Sequence, residues 1–356
     1  MSYTRNPSSP YDFCFGSCKN GEKRECRRTS CSRSKLTRAL VTGATGFIGG
    51  HICKALLNAG YAVTAVTRSA EGLGIHPDAK IVNVGEIGPD TDWEQALDGV
   101  DIVIHAAART HALRDGLGGK ENAYRRINFE ATRALGAQAV ERGVQRFIFL
   151  SSVKAGGEFS LPGRPLKADL PPAPEDVYGR TKLEAEAALL NAASAGKMEV
   201  LILRLPLVYG PGVKGNLFSL FNIVNQGMFL PLKRINNKRD LIYVHNLVDA
   251  VMRAIELHNF AERIYYVCDG ESVSTSELVV KISRALNRPY RLIFVPMPIF
   301  KILALLVGKS GSFRKLTQSL EVDGGKFCRD ADWEAPFTMK EGLASTAAWF
   351  KSQSVK

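Results

Sequence analysis

Apolar and polar positions alternate along the chain in a rhythm that predicts strands and helices in succession. The run "RALVTG" is typical of a short strand, and "FIGGHICKALLNAG" spaces Ile48, Ile52 and Leu56 as a helix does before it stops at Gly60. The pattern continues with strands in "YAVTAVTR", "AKIVNV", "DIVIHAAA", "QRFIFLSS" and "MEVLILRLPLVYG", and with helices over 123–142 and 175–195.

Strands that alternate with helices form parallel βαβ units with right-handed crossovers. We therefore expect an α/β fold with a doubly wound parallel sheet, of the Rossmann type. After Gly210, Gly, Asn and basic residues become frequent, and short strands mix with helices. The predicted organisation is an extension over 1–35, a sheet domain over 36–210, and a smaller C-terminal lobe over 211–356 that returns some elements to the first domain.

The most apolar stretch, "LIFVPMPIFKILALLVG", spans 292–308 and is interrupted by Pro296, Pro298 and Lys301. A helix that crosses a bilayer needs about 20 apolar residues. We therefore expect no transmembrane segment, and interpret this stretch as a buried strand end followed by a packed helix.

The formal net charge of +12 is distributed unevenly. Residues 1–38 carry nine Lys or Arg and three Asp or Glu, so half of the excess lies there. The rest of the chain is mildly basic, which suits an anionic small substrate at least as well as nucleic acid, and no nucleic-acid module stands out. We expect no nucleic-acid partner.

Four of the seven cysteines (Cys14, Cys18, Cys26 and Cys31) lie in the extension. Their irregular spacing favours a flexible basic tail over a four-thiolate metal site, and a transit peptide is a weaker alternative. The remaining cysteines are scattered, which indicates a reduced, cytoplasmic protein without a metal site.

The motif "VTGATGFIGG" places Gly43, Gly46 and Gly49 between a strand and a helix. Glycines in such a turn let the backbone approach a pyrophosphate, and the helix N-terminus offers it unpaired N–H groups. The motif predicts a dinucleotide site. An acidic residue at the end of the next strand would favour NAD, but this strand ends in Thr67 and Arg68. Arg68 therefore favours NADP, and NAD remains an alternative.

The segment "VYGRTK" places Tyr178 four residues before Lys182, so both share one face of a helix. A nearby ammonium lowers the pKa of a phenol from about 10, and the tyrosine then becomes a usable general acid or base. Ser151 and Ser152 end a neighbouring strand, where open α/β sheets bind their ligands. These residues predict one redox centre.

In this context the chain resembles the extended short-chain dehydrogenases/reductases of the NAD-dependent epimerase/dehydratase family. The resemblance covers residues 36–350 and rests on "VTGATGFIGG", "DIVIHAAA", "RRINFEAT", "FIFLSSV", "VYGRTKLEAE", "LRLPLVYGPG" and "RDLIYVHNLVDA", in the family's order. It implies Ser152 as the catalytic serine, Tyr178 as the acid/base, Lys182 as its partner on the nicotinamide ribose, and Asn128 as the structural and proton-relay asparagine.

The resemblance also implies a cofactor-binding set, to which Arg68, Tyr178 and Lys182 belong. The other members are Gly43, Thr45, Gly46, Phe47, Ile48 and Gly49 in the turn, Glu86 and Ile87 near the adenine, Ala106, Ala107 and Ala108 beside the cofactor, and Pro206 by the nicotinamide. On the substrate side, Ser152, Asn216 and Arg239 would contact a UDP-sugar, with Asn216 and Arg239 at its diphosphate. The family further implies a homodimer through the helices near 123–142 and 176–195, where Leu135, Val140, Leu183, Leu189 and Leu190 are apolar.

The residues that follow Ser152 indicate which of the family's reactions to expect. Family dehydratases carry an acidic pair there, whereas this chain has Lys154 and no carboxylate before Glu158, so dehydration is not expected. The quoted segments look most like bacterial UDP-4-keto-6-deoxy-N-acetylhexosamine reductases that serve surface-polysaccharide (O-antigen) synthesis. A UDP-glucose or UDP-N-acetylglucosamine 4-epimerase with tightly bound NAD is the alternative, and a non-catalytic dinucleotide sensor is disfavoured by the intact Tyr/Lys pair.

Overall fold

The computed structural model describes residues 37–69, 74–109, 117–161, 163–194, 196–258, 263–306 and 310–353. The extension over 1–35, with its four cysteines, lies outside the described residues. Residues 36–356 form one compact unit.

Seven parallel strands form the central sheet in the order β3-β2-β1-β4-β5-β6-β9. The order runs outward in both directions from β1, so the chain winds both faces of the sheet, and the predicted α/β class is confirmed. The strands are β1 (Arg38–Thr42), β2 (Ala62–Thr67), β3 (Lys80–Asn83), β4 (Ile102–His105), β5 (Arg146–Ser152), β6 (Glu199–Leu205), β7 (Leu207–Tyr209), β8 (Leu241–Tyr243) and β9 (Ile264–Tyr266).

The helices cover both faces of this sheet and build the C-terminal part. They are α1 (Phe47–Asn58), α2 (Glu94–Leu97), α3 (Leu117–Tyr124), a π-helical segment (Arg125–Glu130), α4 (Ala131–Glu141), α5 (Val153–Gly156), α6 (Val177–Ser194), α7 (Asn216–Asn225), α8 (Val244–Glu256), α9 (Thr275–Leu286), α10 (Met297–Leu306), α11 (Ser310–Thr317), α12 (Gly325–Asp330) and α13 (Met339–Gln353). No helix among the described residues has the length and apolarity needed to cross a bilayer.

The strands are held by apolar side chains on both faces, as in a buried parallel sheet. One core packs α1 and α8 against the sheet through Ile52 and Val251, among others. The opposite core packs α4 and α6 against the other face, with Leu135, Phe147 and Leu189 at its centre. Leu135 and Leu189 are completely buried inside the chain, so neither position is available for the dimer contact that the resemblance implied.

The predicted strand "MEVLILRLPLVYG" is two strands in the structure. β6 pairs with β5 and β9 in the main sheet, whereas β7 pairs with β8 in a separate two-stranded sheet. The break falls at Pro206, which has no N–H to donate to a ladder and so interrupts a central strand. Pro206 therefore turns the chain from the main sheet towards the C-terminal part.

The prediction for 292–308 is wrong about burial. A bridge between Leu292 and Leu230 and the helix α10 occupy this region. Several of its described side chains nevertheless stay in solvent, since Phe294, Met297 and Ile299 are all about half exposed. The apolar pattern alone cannot distinguish a packed helix from one whose surface the rest of the chain leaves uncovered.

Candidate active site

The glycine turn lies between β1 and α1, at the carboxyl edge of the sheet. Gly43 adopts φ +69°, and a Cβ at this position would lie 2.9 Å from the backbone nitrogen of Ala107. A Cβ on Gly49 would lie 2.2 Å from the Gly43 carbonyl oxygen. Gly43 therefore keeps the turn against the end of β4, and Gly49 keeps the helix against the turn.

The first turn of α1 is open to a ligand. Thr45 and Gly46 are exposed, Phe47 and Ile48 are partly buried, and Gly46 has no side chain with which to cap the helix. Helix N-terminal N–H groups carry partial positive charge and bind phosphate well. The turn therefore has the geometry that suits the pyrophosphate of a dinucleotide.

A buried hydrogen-bond chain fixes the strand ends beside this turn. His105 Nε2 lies 2.9 Å from Thr132 Oγ1, which itself donates to the Asn128 carbonyl oxygen at 2.8 Å. His105 Nδ1 lies 2.7 Å from Thr42 Oγ1, which accepts from the Ala107 N–H at 3.1 Å. These roles are consistent for a neutral imidazole protonated on Nε2, and burial together with the Lys182 charge lowers the pKa of His105 to about 3.

The loop after β4 holds Ala106, Ala107 and Ala108, which are partly buried. Small side chains leave room for a ring system above the sheet edge, as the family resemblance implies. On the adenine side, Glu86 is exposed and Ile87 is partly buried in the loop after β3. Arg68 is exposed directly after β2, and Thr67 Oγ1 donates to the Ser69 carbonyl oxygen at 2.8 Å.

Tyr178 and Ser152 meet at the carboxyl end of β5. Ser152 ends the strand, and its hydroxyl accepts a hydrogen bond from the Lys154 N–H at 3.3 Å. The Tyr178 side chain, which projects from the first turn of α6, lies close enough to this hydroxyl for Ser152 to act on the pKa of the phenol. The structure therefore brings these two predicted residues together.

Lys182 lies one helical turn below Tyr178 and is completely buried. Its Nζ donates to the Leu150 carbonyl oxygen at 2.9 Å and lies 4.3 Å from the centre of the Phe149 ring. Burial lowers the pKa of Lys182 to about 7, against a raising effect of Glu186.

The expectation that Lys182 lowers the pKa of Tyr178 is wrong for this structure. Burial raises the pKa of Tyr178 to about 12, and the lowering effect of the neighbouring Ser152 hydroxyl offsets this only in part. The Lys182 ammonium points to the Leu150 carbonyl instead of the phenol. Tyr178 is therefore a neutral phenol at pH 7, ready to donate a proton.

Asn128 lies in the π-helical segment between α3 and α4. One extra residue in a helical turn is a common device at functional sites, because it rotates a side chain inward. Asn128 Oδ1 accepts from the Arg109 N–H at 2.8 Å, and Nδ2 donates to the Arg109 carbonyl oxygen at 3.2 Å and to Thr181 Oγ1 at 3.4 Å. Asn128 thus joins the loop after β4 to α6, which accounts for a structural role.

Lys154 occupies the place where dehydratases have an acid. Its Nζ pairs with the carboxylates of Asp176 and of Glu158, the latter at 3.3 Å. Asp176 also accepts from the Gly179 N–H at 2.7 Å and so begins α6. Burial raises the pKa of Asp176, but these hydrogen bonds outweigh it and hold the pKa below the usual value. Although Asp176 brings a carboxylate near Ser152, it is engaged in these contacts.

The substrate residues named from the sequence lie in the C-terminal part. Asn216 is the exposed first residue of α7. Arg239 is partly buried, and its Nη1 donates to the carbonyl oxygens of Lys315 at 2.8 Å and of Gln318 at 3.1 Å. Desolvation lowers the pKa of Arg239. Part of its hydrogen-bonding capacity therefore fastens the end of α11.

The sequence is similar to those of known proteins. The family model for the NAD dependent epimerase/dehydratase family matches residues 39–268. A UDP-glucose 4-epimerase from Vibrio cholerae is 40% identical over 313 residues, which is 87% of this chain and 94% of the relative. The chain belongs to the NAD dependent epimerase/dehydratase family. It is accordingly an enzyme of the extended short-chain dehydrogenase/reductase type.

More distant family members are similar over nearly their whole length. An N-acetyl-α-D-glucosaminyl-diphospho-ditrans,octacis-undecaprenol 4-epimerase from Escherichia coli O157:H7 is 25% identical over 86% of this chain and 93% of the relative. The structure of the UDP-glucuronic acid 4-epimerase from Bacillus cereus in complex with NAD superposes with a TM-score of 0.72 at 22% identity. That match covers 89% of this chain and 99% of the other, and it supports the Rossmann-type fold.

One buried cluster behind the family's serine was missed by sequence reasoning. Ser151 Oγ donates to Glu186 Oε1 at 2.5 Å, and Arg204 Nη2 donates to Glu186 Oε2 at 2.7 Å. Arg204 also donates to the Tyr266 hydroxyl at 3.3 Å. A signal was present, because Glu186 follows Lys182 by four residues and therefore lies on the same face of α6.

Proposed function

We propose that this chain is an NADP-dependent reductase that acts at C4 of a UDP-linked 4-keto sugar and serves surface-polysaccharide synthesis. The observation that carries the proposal is the end of β2, where Thr67 and Arg68 stand in place of the carboxylate that binds the 2′-hydroxyl of NAD. An exposed arginine at this position suits a 2′-phosphate. NADPH that is reduced by other enzymes can supply the hydride for a net reduction of the 4-keto sugar.

The glycine turn fits the cofactor, because the positions of Gly43 and Gly49 leave no room for a Cβ and so bring the backbone close to a bound pyrophosphate. When bound, the reduced nicotinamide would supply the hydride for C4 of the sugar. Lys182 would hold the nicotinamide ribose, and Ala106 to Ala108 with Pro206 would line the ring's surroundings.

Tyr178 then supplies the proton. A neutral phenol whose pKa is about 12 donates its hydroxyl proton to the carbonyl oxygen as the hydride reaches the carbon, so the ketone becomes an alcohol. Ser152 Oγ, which lies beside Tyr178, would hydrogen-bond the same oxygen and orient the carbonyl. Asn128 would keep the loop after β4 in register with α6 through its bonds to Arg109 and Thr181, and would relay the proton.

The substrate class is supported by the relatives. The two relatives described above are named for epimerases whose sugar is joined to a diphosphate. In this chain, Asn216 at the start of α7 and the remaining N–H groups of Arg239 are suited to a diphosphate, because a guanidinium carries five donors and Nη1 uses only part of them. We therefore propose a UDP-sugar as the substrate.

A 4-epimerase with tightly held NAD is the second candidate, and the 40% identity to a UDP-glucose 4-epimerase favours it. In that reaction Tyr178 would first accept the proton of the C4 hydroxyl and later return it. Both reactions use Ser152, Tyr178 and Lys182 alike, so the catalytic residues do not separate them.

The purified protein and its substrates distinguish the two candidates. We expect NADPH to be consumed only when a UDP-4-keto-6-deoxy sugar is supplied, and no interconversion of UDP-glucose and UDP-galactose. Stoichiometric bound NAD, together with UDP-sugar interconversion without added cofactor, would instead establish the epimerase.

Tyr178→Phe should lower kcat about 10²–10⁴-fold in either reaction while dinucleotide binding persists, since general acid–base catalysis contributes that much. Tyr61→Phe is the matched control. Tyr61 directly precedes β2 and so lies at the amino ends of the strands, whereas the site lies at their carboxyl ends. Equal activity of Tyr178→Phe and Tyr61→Phe would remove Tyr178 from the chemistry.

We further propose a cytoplasmic homodimer. The described cysteines, Cys53, Cys268 and Cys328, are free thiols, which suits a reducing compartment. A dimer through α4 and α6 would use their outward residues, including partly buried Leu183, since Leu135 and Leu189 belong to the core. Light scattering of the purified chain measures its mass and tests the dimer.

A further inference from the structure

A group of large apolar side chains lies exposed on the C-terminal part. Each of its members is at least 42% exposed. We call the following six residues the apolar patch: Phe229, Ile293, Phe294, Met297, Ile299 and Leu305. Monomeric proteins seldom leave so many large apolar side chains together in water unless they meet a partner.

Two chain segments bring the patch together. Leu230 N–H donates to the Arg291 carbonyl oxygen at 2.8 Å, and Ile293 N–H donates to the Leu230 carbonyl oxygen at 2.9 Å. Leu230 and Leu292 pack against the C-terminal core. Successive side chains of an extended segment point to opposite sides, so their neighbours Phe229 and Ile293 face away from that core.

Helix α10 contributes three members of the patch, Met297, Ile299 and Leu305. All its residues except Lys301 are apolar in sequence. Met297 and Ile299 are both about half exposed although positions two apart point to opposite sides of a helix. The helix therefore presents apolar side chains to solvent on more than one side.

Cationic side chains lie beside the apolar patch and form its rim. The Arg291 guanidinium lies 5.3 Å from the centre of the Phe229 ring, and that of Arg234 lies 5.1 Å from the centre of the Phe294 ring. Lys233, Arg288 and Lys301 are also exposed. Residues 226–239 and 287–320 contain no Asp or Glu at all. The patch and its rim are therefore apolar and cationic, without an acidic side chain of their own segments.

The positive charge beside the apolar patch distinguishes two possible binding partners, a second copy of the chain and an anionic bilayer. A second copy of the chain packed about a two-fold axis would bring the cationic rims together, and like charges across an interface are costly. An anionic bilayer offers both halves of the complement, since acyl chains accept the apolar side chains and acidic headgroups accept the Lys and Arg residues.

We propose that the apolar patch docks this protein peripherally on the surface of a membrane that contains anionic phospholipid. Phe229, Phe294, Met297 and Ile299 enter the headgroup–acyl boundary, and Arg234, Arg291 and Lys301 bind the headgroups. The docking does not depend on which sugar reaction the enzyme catalyses.

Sedimentation of the full chain with phospholipid vesicles tests the proposal. We expect binding to vesicles of phosphatidylcholine with phosphatidylglycerol, which weakens as salt is raised, and little binding to phosphatidylcholine alone. Arg291→Gln and Lys301→Gln should each weaken binding about fivefold, because one cation near an anionic surface contributes about that much. Phe294→Ser combined with Ile299→Ser should weaken it about tenfold or more, since apolar burial drives insertion.

Matched controls lie on β3 at the far edge of the main sheet. Lys80 and Ile81 are exposed there, so Lys80→Gln and Ile81→Ser make the same chemical changes outside the patch. They should leave vesicle binding unchanged. Circular dichroism and catalytic activity of every variant show that the fold is retained.

Three results would overturn the proposal. The first is absence of binding to phosphatidylglycerol vesicles at low salt. The second is an equal loss in the β3 controls, which would assign binding to the overall basic charge, including that of residues 1–38. The third is a lipid-independent oligomer that Phe294→Ser and Ile299→Ser dissociate, which would make a second copy of the chain the occupant.

Discussion

At the scale of single residues, the spacing of Tyr178 and Lys182 predicts that they share a site, but not the direction in which the ammonium points. That direction depends on the Leu150 carbonyl and the Phe149 ring, which come from β5. The four-residue spacing therefore places both residues on one face of α6, while the pKa of Tyr178 follows from burial, which a local sequence pattern does not contain.

The buried Lys182 makes stability depend on pH in the alkaline range. Its pKa is about 7 in the folded chain and about 10.5 in the unfolded chain. Between these values the unfolded state binds the extra proton, so the free energy of unfolding rises with pH. Lys182→Met removes this gain, and its stability relative to wild type should fall by up to a few kcal/mol between pH 7 and pH 9.5.

Urea unfolding of both proteins at the two pH values measures this difference. Lys351→Met, at an exposed position near the end of α13, is the matched control and should show none. If Lys182→Met and wild type keep a constant difference in stability, the folded pKa of Lys182 is near its ordinary value and the argument fails.

At the scale of elements, α6 holds the proposed catalytic residues Tyr178 and Lys182, and its inner face meets the carboxyl end of β5. Tyr178, Lys182 and Glu186 follow one another at four-residue spacing along that face. The sequence predicts this helix almost to its ends. It does not predict the π-helical segment that turns Asn128 inward, because a one-residue widening leaves the apolar period nearly unchanged.

The Glu186–Arg204 pair couples α6 to β6 beneath the site. Both side chains are almost completely buried, and Glu186 also accepts from Ser151, the neighbour of Ser152. Removal of one partner leaves an unpaired buried charge, so Arg204→Met should lower the free energy of unfolding by about 3–5 kcal/mol. Arg204→Met with Glu186→Leu should cost less than the sum of the two single changes.

Denaturant unfolding of the single and double variants forms a double-mutant cycle that measures the coupling. The surface pair of Lys281 with Glu271, at 2.7 Å, is the comparison. Lys281→Met should change stability by no more than about 1 kcal/mol. Additive effects of Arg204→Met and Glu186→Leu would show that the two residues do not act as a pair.

At the scale of the whole molecule, the parallel sheet follows from the sequence because most of its strands are short and apolar and are followed by a helix. The C-terminal part does not, since its short strands β7, β8 and β9 are three residues each and pair in different sheets. Pro206 separates the two sheets, and Met297 and Ile299 of α10 are about half exposed to solvent although the helix is apolar in sequence. These outcomes depend on long-range pairing, which local periodicity does not record.

Dinucleotide binding and unfolding of the whole chain are linked, so thermal stability measures cofactor preference. A ligand at 100 times its Kd stabilises the folded state by about 2.7 kcal/mol. We expect NADP to raise the Tm more than NAD at equal concentration, because Arg68 follows β2 and Thr67 offers no carboxylate.

Variants at the end of β2 test which residues set this preference. Thr67→Asp should reverse the order of the two Tm shifts, since an acid there binds the 2′-hydroxyl and repels the 2′-phosphate. Arg68→Ser should lower the shift by NADP alone, and Lys80→Gln, one strand further out, should change neither. A larger shift by NAD in the wild-type chain would contradict the assignment of NADP and favour the epimerase.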